Sequence, residues 1–228
     1  MFKKIIPLIA VSVVFSVSLF GQKAQFFTAG VNFGTLNYGG DIAPTNAQSE
    51  FQAPTLFDEM KPRFGAHMTY QATGRWSFGA EASYGTIYAF DPHHGIAKRG
   101  FEVKSNLLQI NGVIEFFAVK LTKKFKKPTF HPVLRAGGGV LFYDPQITNW
   151  SQFPTDYIVY PHAYITVNAF AGVGVKYRAS RNHMIGLTFD LHRTPVDNLD
   201  GFLNPTNPNA WNNDAYGSLV VSYHFLFL

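Results

Sequence analysis

Between His162 and Arg178 the chain reads HAYITVNAFAGVGVKYR, and every second position is apolar. Ala163, Ile165, Val167, Ala169, Ala171, Val173, Val175 and Tyr177 form one set. His162, Tyr164, Thr166, Asn168, Phe170, Gly172, Gly174, Lys176 and Arg178 form the other, mostly polar or Gly. A helix would spread both sets around its circumference, whereas a strand puts each on one face. The run is far longer than a usual strand of about 5–6 residues. Its apolar face needs cover from a second sheet, from helices or from lipid. Tyr177, with the basic pair Lys176 and Arg178, reads as a membrane-water boundary at one end.

Seven further stretches show the same alternation. Gln25–Thr35 carries Phe27, Ala29, Val31 and Phe33 on one face. Arg63–Ala72 carries Phe64, Ala66, Met68, Tyr70 and Ala72, and Trp76–Tyr88 carries Trp76, Phe78, Ala80, Ala82 and Tyr84. A less regular strand runs from about Phe101 to Val119, with Leu108, Ile110, Gly112, Ile114 and Phe116 on one side. Thr129–Tyr143 presents Phe130, Leu134, Ala136, Val140 and Phe142, and His183–Thr194 presents Ile185, Leu187, Phe189 and Leu191. Ala215–Leu228 ends the chain with Leu219, Val221, Tyr223, Phe225 and Phe227 together.

The connections alternate long and short. Residues 36–62, 89–100, 144–161 and 195–214 are long and rich in Pro, Asn, Asp and Gly. Residues 73–75, 120–128 and 179–182 are short turns. That rhythm predicts an all-β fold: an eight-stranded antiparallel up-and-down transmembrane β-barrel, with short periplasmic turns and long outside loops. The last strand then returns to pair with the first, which removes the unpaired edges that lipid would penalise. A soluble sandwich would show polar outward faces, and a lipocalin-like barrel an apolar interior. Eight strands enclose a space that side chains fill. The inward set includes Arg63, His67, Glu81, Glu115, Arg135, Lys176, Asp190 and His224, so a lumen polar network of salt bridges is expected in place of a pore.

Composition sharpens this picture. Aromatic residues make up 16% of the 228 and charged residues only 14%, against about 25% in soluble domains. Residues 1–21 read as a signal peptide: Lys3 and Lys4 precede an apolar run from Ile5 to Phe20, with small residues near Gly21. The barrel is then expected to occupy residues 22–228, in the outer membrane. The chain has no Cys, which excludes disulfides and lipidation of an N-terminal Cys. Removing Lys3 and Lys4 from the net charge of +5 leaves +3, which is no nucleic-acid signature.

Candidate chemistry is sparse. Gly137-Gly138-Gly139 lies within a strand, so it reads as room for curvature or bulky neighbours and not as a phosphate loop. His93 and His94 stand beside Asp91 in an outside loop, where a metal role and an inert one are both open. His67, His131, His192 and His224 read as interior histidines or as lumen ligands. No Ser-His-acid set converges by spacing, and nucleophile-elbow, zinc-protease and Walker motifs are lacking. No catalytic residue, metal or cofactor is expected. The turn KLTKKFKKP crowds Lys120, Lys123, Lys124, Lys126 and Lys127. It reads either as a solvated, orienting turn or as a docking patch for an acidic periplasmic partner or lipid phosphates.

Several blocks in order resemble one barrel family. NYGGDIAP follows the first strand, and FEVKSNLLQINGVIEFF is similar to that family's fourth-strand block. FHPVLRAGGGVLFYDPQ, NAFAGVGVKYR and LTFDLHRTPVDNLDGF are similar to its later blocks. The family is the Bacteroidetes-type outer-membrane β-barrel family that includes the type IX secretion barrel PorG. The resemblance implies a structural barrel that assembles or anchors such a machine, with outer-membrane lipid and a periplasmic ring or lipoprotein subunit as partners. An outer-membrane lipid-modifying enzyme, and a surface adhesion barrel that binds through its four outer loops, are the alternatives.

Overall fold

A computed structural model describes residues 25–39, 59–90, 102–148, 158–159, 163–196, 199–203 and 214–228. The expected signal peptide, His93 and His94, and much of the four long connections lie outside the described residues. The strands are β1 (Phe26–Gly39), β2 (Lys61–Gln71), β3 (Trp76–Phe90), β4 (Glu102–Phe117), β5 (Thr129–Thr148), β6 (Ile158–Val159), β7 (Tyr164–Arg178), β8 (His183–Arg193), β9 (Phe202–Leu203) and β10 (Ala215–Phe227).

Eight of these form one closed antiparallel barrel. Each pairs with its neighbour along the chain, and β1 pairs with β10 to shut the sheet. That seam runs from Phe27 opposite Phe227 to Gly39 opposite Ala215, so it is as continuous as any internal ladder. The two-residue β6 and β9 pair separately and tie together the third and fourth long connections.

The outward face is apolar across a belt and polar beyond it. Val31, Phe33, Met68, Ile110, Leu134, Val167, Val173, Leu187 and Val221 are all exposed. In water that surface would be untenable; in a bilayer it faces hydrocarbon. At the end holding the start of β1, the end of β10 and the short turns, aromatic pairs ring the belt. Phe27 meets Tyr70 with ring centroids 4.9 Å apart, Trp76 meets Phe116 at 4.9 Å, and Phe130 meets Tyr177 at 4.6 Å. Outer-membrane barrels keep their short turns on the periplasmic side, which makes this the periplasmic girdle. Phe33, Phe64, Tyr84, Leu108, Phe142 and Ile165 follow one another around the neighbouring ladders nearer the loop end.

The strands run further than the apolar alternation does. β1 continues to Gly39 and β5 to Thr148, where Thr35 and Tyr143 were the expected ends. The first and third long connections are correspondingly shorter than expected. Outward positions there are polar, such as Asn37, Asp144 and Gln146, because the ladder rises past the belt into water. Ala72 is a second correction. It was expected on the outward face, but it lies past the end of β2 and is buried, with its N–H donating to the Trp76 carbonyl.

Candidate functional site

The lumen is filled in three layers. At the loop end, Leu36, Tyr38, Ile87, Val103, Leu107, Leu141, Tyr143 and Tyr216 pack with Leu199 from the fourth long connection. The Asp214 carboxylate holds this closure: it accepts from the Tyr38 hydroxyl, and from the Leu199 N–H at 2.7 Å. At the periplasmic end, Phe26, Phe117, Leu121, Val133, Met184 and Leu226 form a second apolar plug. A layer of paired charges lies between the two.

All eight residues read as a lumen polar network lie in or beside this middle layer. Arg135 is its hub. Its guanidinium reaches Glu81 at 2.9 Å, Asp190 at 3.1 Å and Glu115 at 3.9 Å, and donates to Thr188 Oγ1 at 3.1 Å. Arg63 pairs with the other Glu81 oxygen and donates to Ser83 at 3.1 Å and Ser218 at 3.3 Å. Lys176 Nζ donates to both oxygens of Glu115 at 2.7 Å, and Ser77 adds a third hydrogen bond to that carboxylate at 3.0 Å. Arg63, Arg135 and Lys176 thus face Glu81, Glu115 and Asp190, so formal charge balances. Buried ions demand such pairing, because desolvation costs several kcal/mol per ion.

His67 and His224 share a hydrogen bond, Nε2 to Nδ1, at 2.7 Å, and Ser222 Oγ meets His224 Nε2 at 2.9 Å. The rings span three strands, since Gly30 of β1 sits opposite both. A Cβ at Gly30 would lie 2.8 Å from the His67 ring. A cavity of about 10 Å³, about the least that holds one water, lies beside this pair and Asn32.

The inward set reaches beyond those eight and includes His192, which the sequence offers as an interior histidine or a lumen ligand. His192 stacks on Tyr216 with centroids 4.5 Å apart, and its Nε2 lies 3.3 Å from Ser218 Oγ. Asn168 reaches its other ring nitrogen at 3.4 Å. These side chains share the inward parity of their strands, which is the signal that finds them. His131 also faces inward, but lies at the periplasmic end, with Nδ1 3.0 Å from the Val119 carbonyl. Gly137–Gly139 lie within β5, and the Phe170 ring fills the space beside Gly137. Among the described residues no three His, Asp or Glu side chains gather as a metal set.

Lys176 and Arg178 do not mark the membrane boundary as the sequence suggests. Both point inward and are buried. Arg178 donates to four carbonyls: Thr122, Lys123 at 3.4 Å, Ser180 at 3.2 Å and Arg181 at 2.6 Å. It thereby ties the β4–β5 turn to the β7–β8 turn. The β4–β5 turn folds inward over the mouth. Leu121 is fully buried in the lower plug, its N–H donates to Gly74 O at 2.7 Å, and Phe125 lies 5.5 Å from the Arg178 guanidinium. Lys120, Lys123, Lys124, Lys126 and Lys127 are all exposed on this lid.

The model of the family described as domain of unknown function DUF6089 matches residues 5–228. The chain belongs to that family. No curated protein sequence matches it. Among solved structures, Neisserial surface protein A shares 10% identity, with 88% of this chain and 97% of that one covered and a TM-score of 0.50. The Ail attachment invasion locus protein of Yersinia pestis, solved with the heparin analogue sucrose octasulfate, gives 8% identity, coverage of 90% and 99%, and a TM-score of 0.45. The outer-membrane enzyme PagL gives 16%, 88% and 98%, with a TM-score of 0.38. At such identities the likeness concerns the fold. This DUF6089 chain is an eight-stranded antiparallel barrel of the outer membrane.

Proposed function

We propose that this barrel is a structural component of the outer membrane, one that anchors periplasmic subunits of a larger assembly and conducts nothing through its lumen. The observation that carries this reading is the filled lumen: two apolar plugs enclose a charge-balanced layer, and the lower plug includes part of the periplasmic lid. A barrel so built offers its two ends, not its interior, as working surfaces. The periplasmic end supports anchoring, because its lid is held by backbone hydrogen bonds to Arg178 and Gly74. Resemblance to the family of the type IX secretion barrel PorG favours a secretion or gliding-type machine, with a periplasmic ring or lipoprotein subunit as the anchored part.

The test is recovery of the tagged full-length barrel from its own membrane in mild detergent after brief cross-linking. Periplasmic proteins should be recovered in fixed ratio with it, and the barrel reconstituted in a planar bilayer should show no stable conductance steps. A barrel recovered alone, or one with reproducible unitary currents, would overturn the proposal.

A further inference from the structure

The periplasmic turns are basic without exception. Residues 72–75, 118–128 and 179–182 contain Arg75, Lys120, Lys123, Lys124, Lys126, Lys127 and Arg181, and no Asp or Glu. Like charges this close repel, and a floppy turn would let them spread. Here the turn is fixed. Leu121 is buried inside the barrel end, and Arg178 grips the carbonyls of Thr122 and Lys123 from the lumen side. Thr122 Oγ1 donates to the Lys124 carbonyl at 3.2 Å, and Thr129 Oγ1 to the Lys127 carbonyl at 2.9 Å. Holding repelling charges in one conformation costs free energy that an opposite charge offsets.

We infer that the Arg178-tied lid is a preformed docking surface for an acidic face of a periplasmic protein. The direction of the lid selects a protein over the phospholipid leaflet. Headgroups surround the barrel outside the aromatic girdle, at Trp76, Phe116, Phe130 and Tyr177. The lid folds the other way, across the mouth, since its anchors Leu121 and Arg178 are interior residues. Its lysines therefore crown the end of the barrel and face the periplasm. This inference rests on the anchoring reading above and adds the chemistry of the anchored partner.

The experiment places a photo-cross-linking amino acid at Lys124, on the lid, or at Phe130, on the girdle, in the full chain in its native membrane. The Lys124 position should give a protein adduct whose cross-linked peptide is rich in Asp and Glu, and the Phe130 position should give lipid adducts. Replacing Lys120, Lys123, Lys126 and Lys127 by Gln should lower the Lys124 adduct about tenfold, as should raising salt from 0.05 to 0.5 M, because exposed charge pairs are screened. Arg178→Gln should lower it too while leaving the other four lysines in place. A protein adduct that is not acidic, or that survives both the Gln replacements and salt, overturns the acidic-face inference and leaves anchoring intact. Lipid adducts alone from Lys124 overturn the inference in favour of leaflet binding. No protein adduct from any periplasmic position overturns anchoring as well.

Discussion

Arg135 and Asp190 meet at 3.1 Å across Gly172, the residue that stands between them on the intervening strand. A Cβ at Gly172 would overlap the Asp190 carboxylate. The ion pair exists because the middle strand offers nothing there. Gly172→Ala should therefore separate the pair and lower stability by roughly 1–3 kcal/mol, the usual cost of overpacking. Gly112→Ala is the matched control, because its nearest contact would be ordinary, at 3.8 Å from the Gly138 carbonyl. Urea midpoints of the two variants refolded into the same detergent check the difference; equal midpoints would contradict it.

Glu115 is the buried counterion of Lys176, with both carboxylate oxygens 2.7 Å from Nζ. Glu115→Gln leaves a buried ammonium without its counterion, and the expected loss is about 3–5 kcal/mol. Replacing both together, Glu115→Leu with Lys176→Met, should recover most of that loss, since removing a whole buried pair is often neutral. A double variant no more stable than the single one would show that the pair contributes little and that packing dominates.

Val167 and Thr166 are neighbours that face opposite media. Val167 is 58% exposed on the belt, whereas Thr166 faces the lumen. Val167→Arg sets a charge in the hydrocarbon belt and should cost up to about 2–4 kcal/mol, the range for the bilayer midplane. Threonine-to-arginine replacement at 166 should give a different outcome, set by lumen packing and pairing. Folding yield into lipid vesicles, scored by the unboiled gel shift, separates the two; normal folding of the Val167 variant would mean the register is displaced by one residue.

Arg178 holds two turns by their carbonyls, so its loss should act locally. In Arg178→Gln, amide hydrogen exchange should speed up across residues 118–128 and 179–182 and stay unchanged in β1 and β10. Uniform acceleration through the barrel would show that Arg178 supports the whole fold.

Facing was legible in the sequence because a strand's period of two writes it directly: every named apolar residue from Phe27 to Phe33 lies outward as read. Strand length was not. The outward face of β5 turns polar at Asp144, and the pattern reads that as the strand's end, although backbone hydrogen bonds continue into water above the belt. The lumen charges were legible as a set, since inward parity and residue type suffice to find Arg135 or Glu81. Their pairing was not, because Arg135 selects Glu81 on β3 and Asp190 on β8 through the stagger of the closed sheet. Arg178 was misread for a related reason. Basic residues beside a tyrosine look like interface anchors until parity places them inside.

The contact between His67 and His224 has a consequence for assembly. It joins β2 to β10 over Gly30 of β1, and so crosses the seam where the barrel closes. A slip of one residue at that seam would turn every side chain of a strand to the wrong medium. A slip of two would keep each facing correct and pass unnoticed by lipid. It would, however, move Gly30 out from beneath the rings and put Thr28 or Asn32 in its place. The glycine arch thus checks alignment at a finer interval than the membrane does, and the ladder it inspects is the one that closes the barrel.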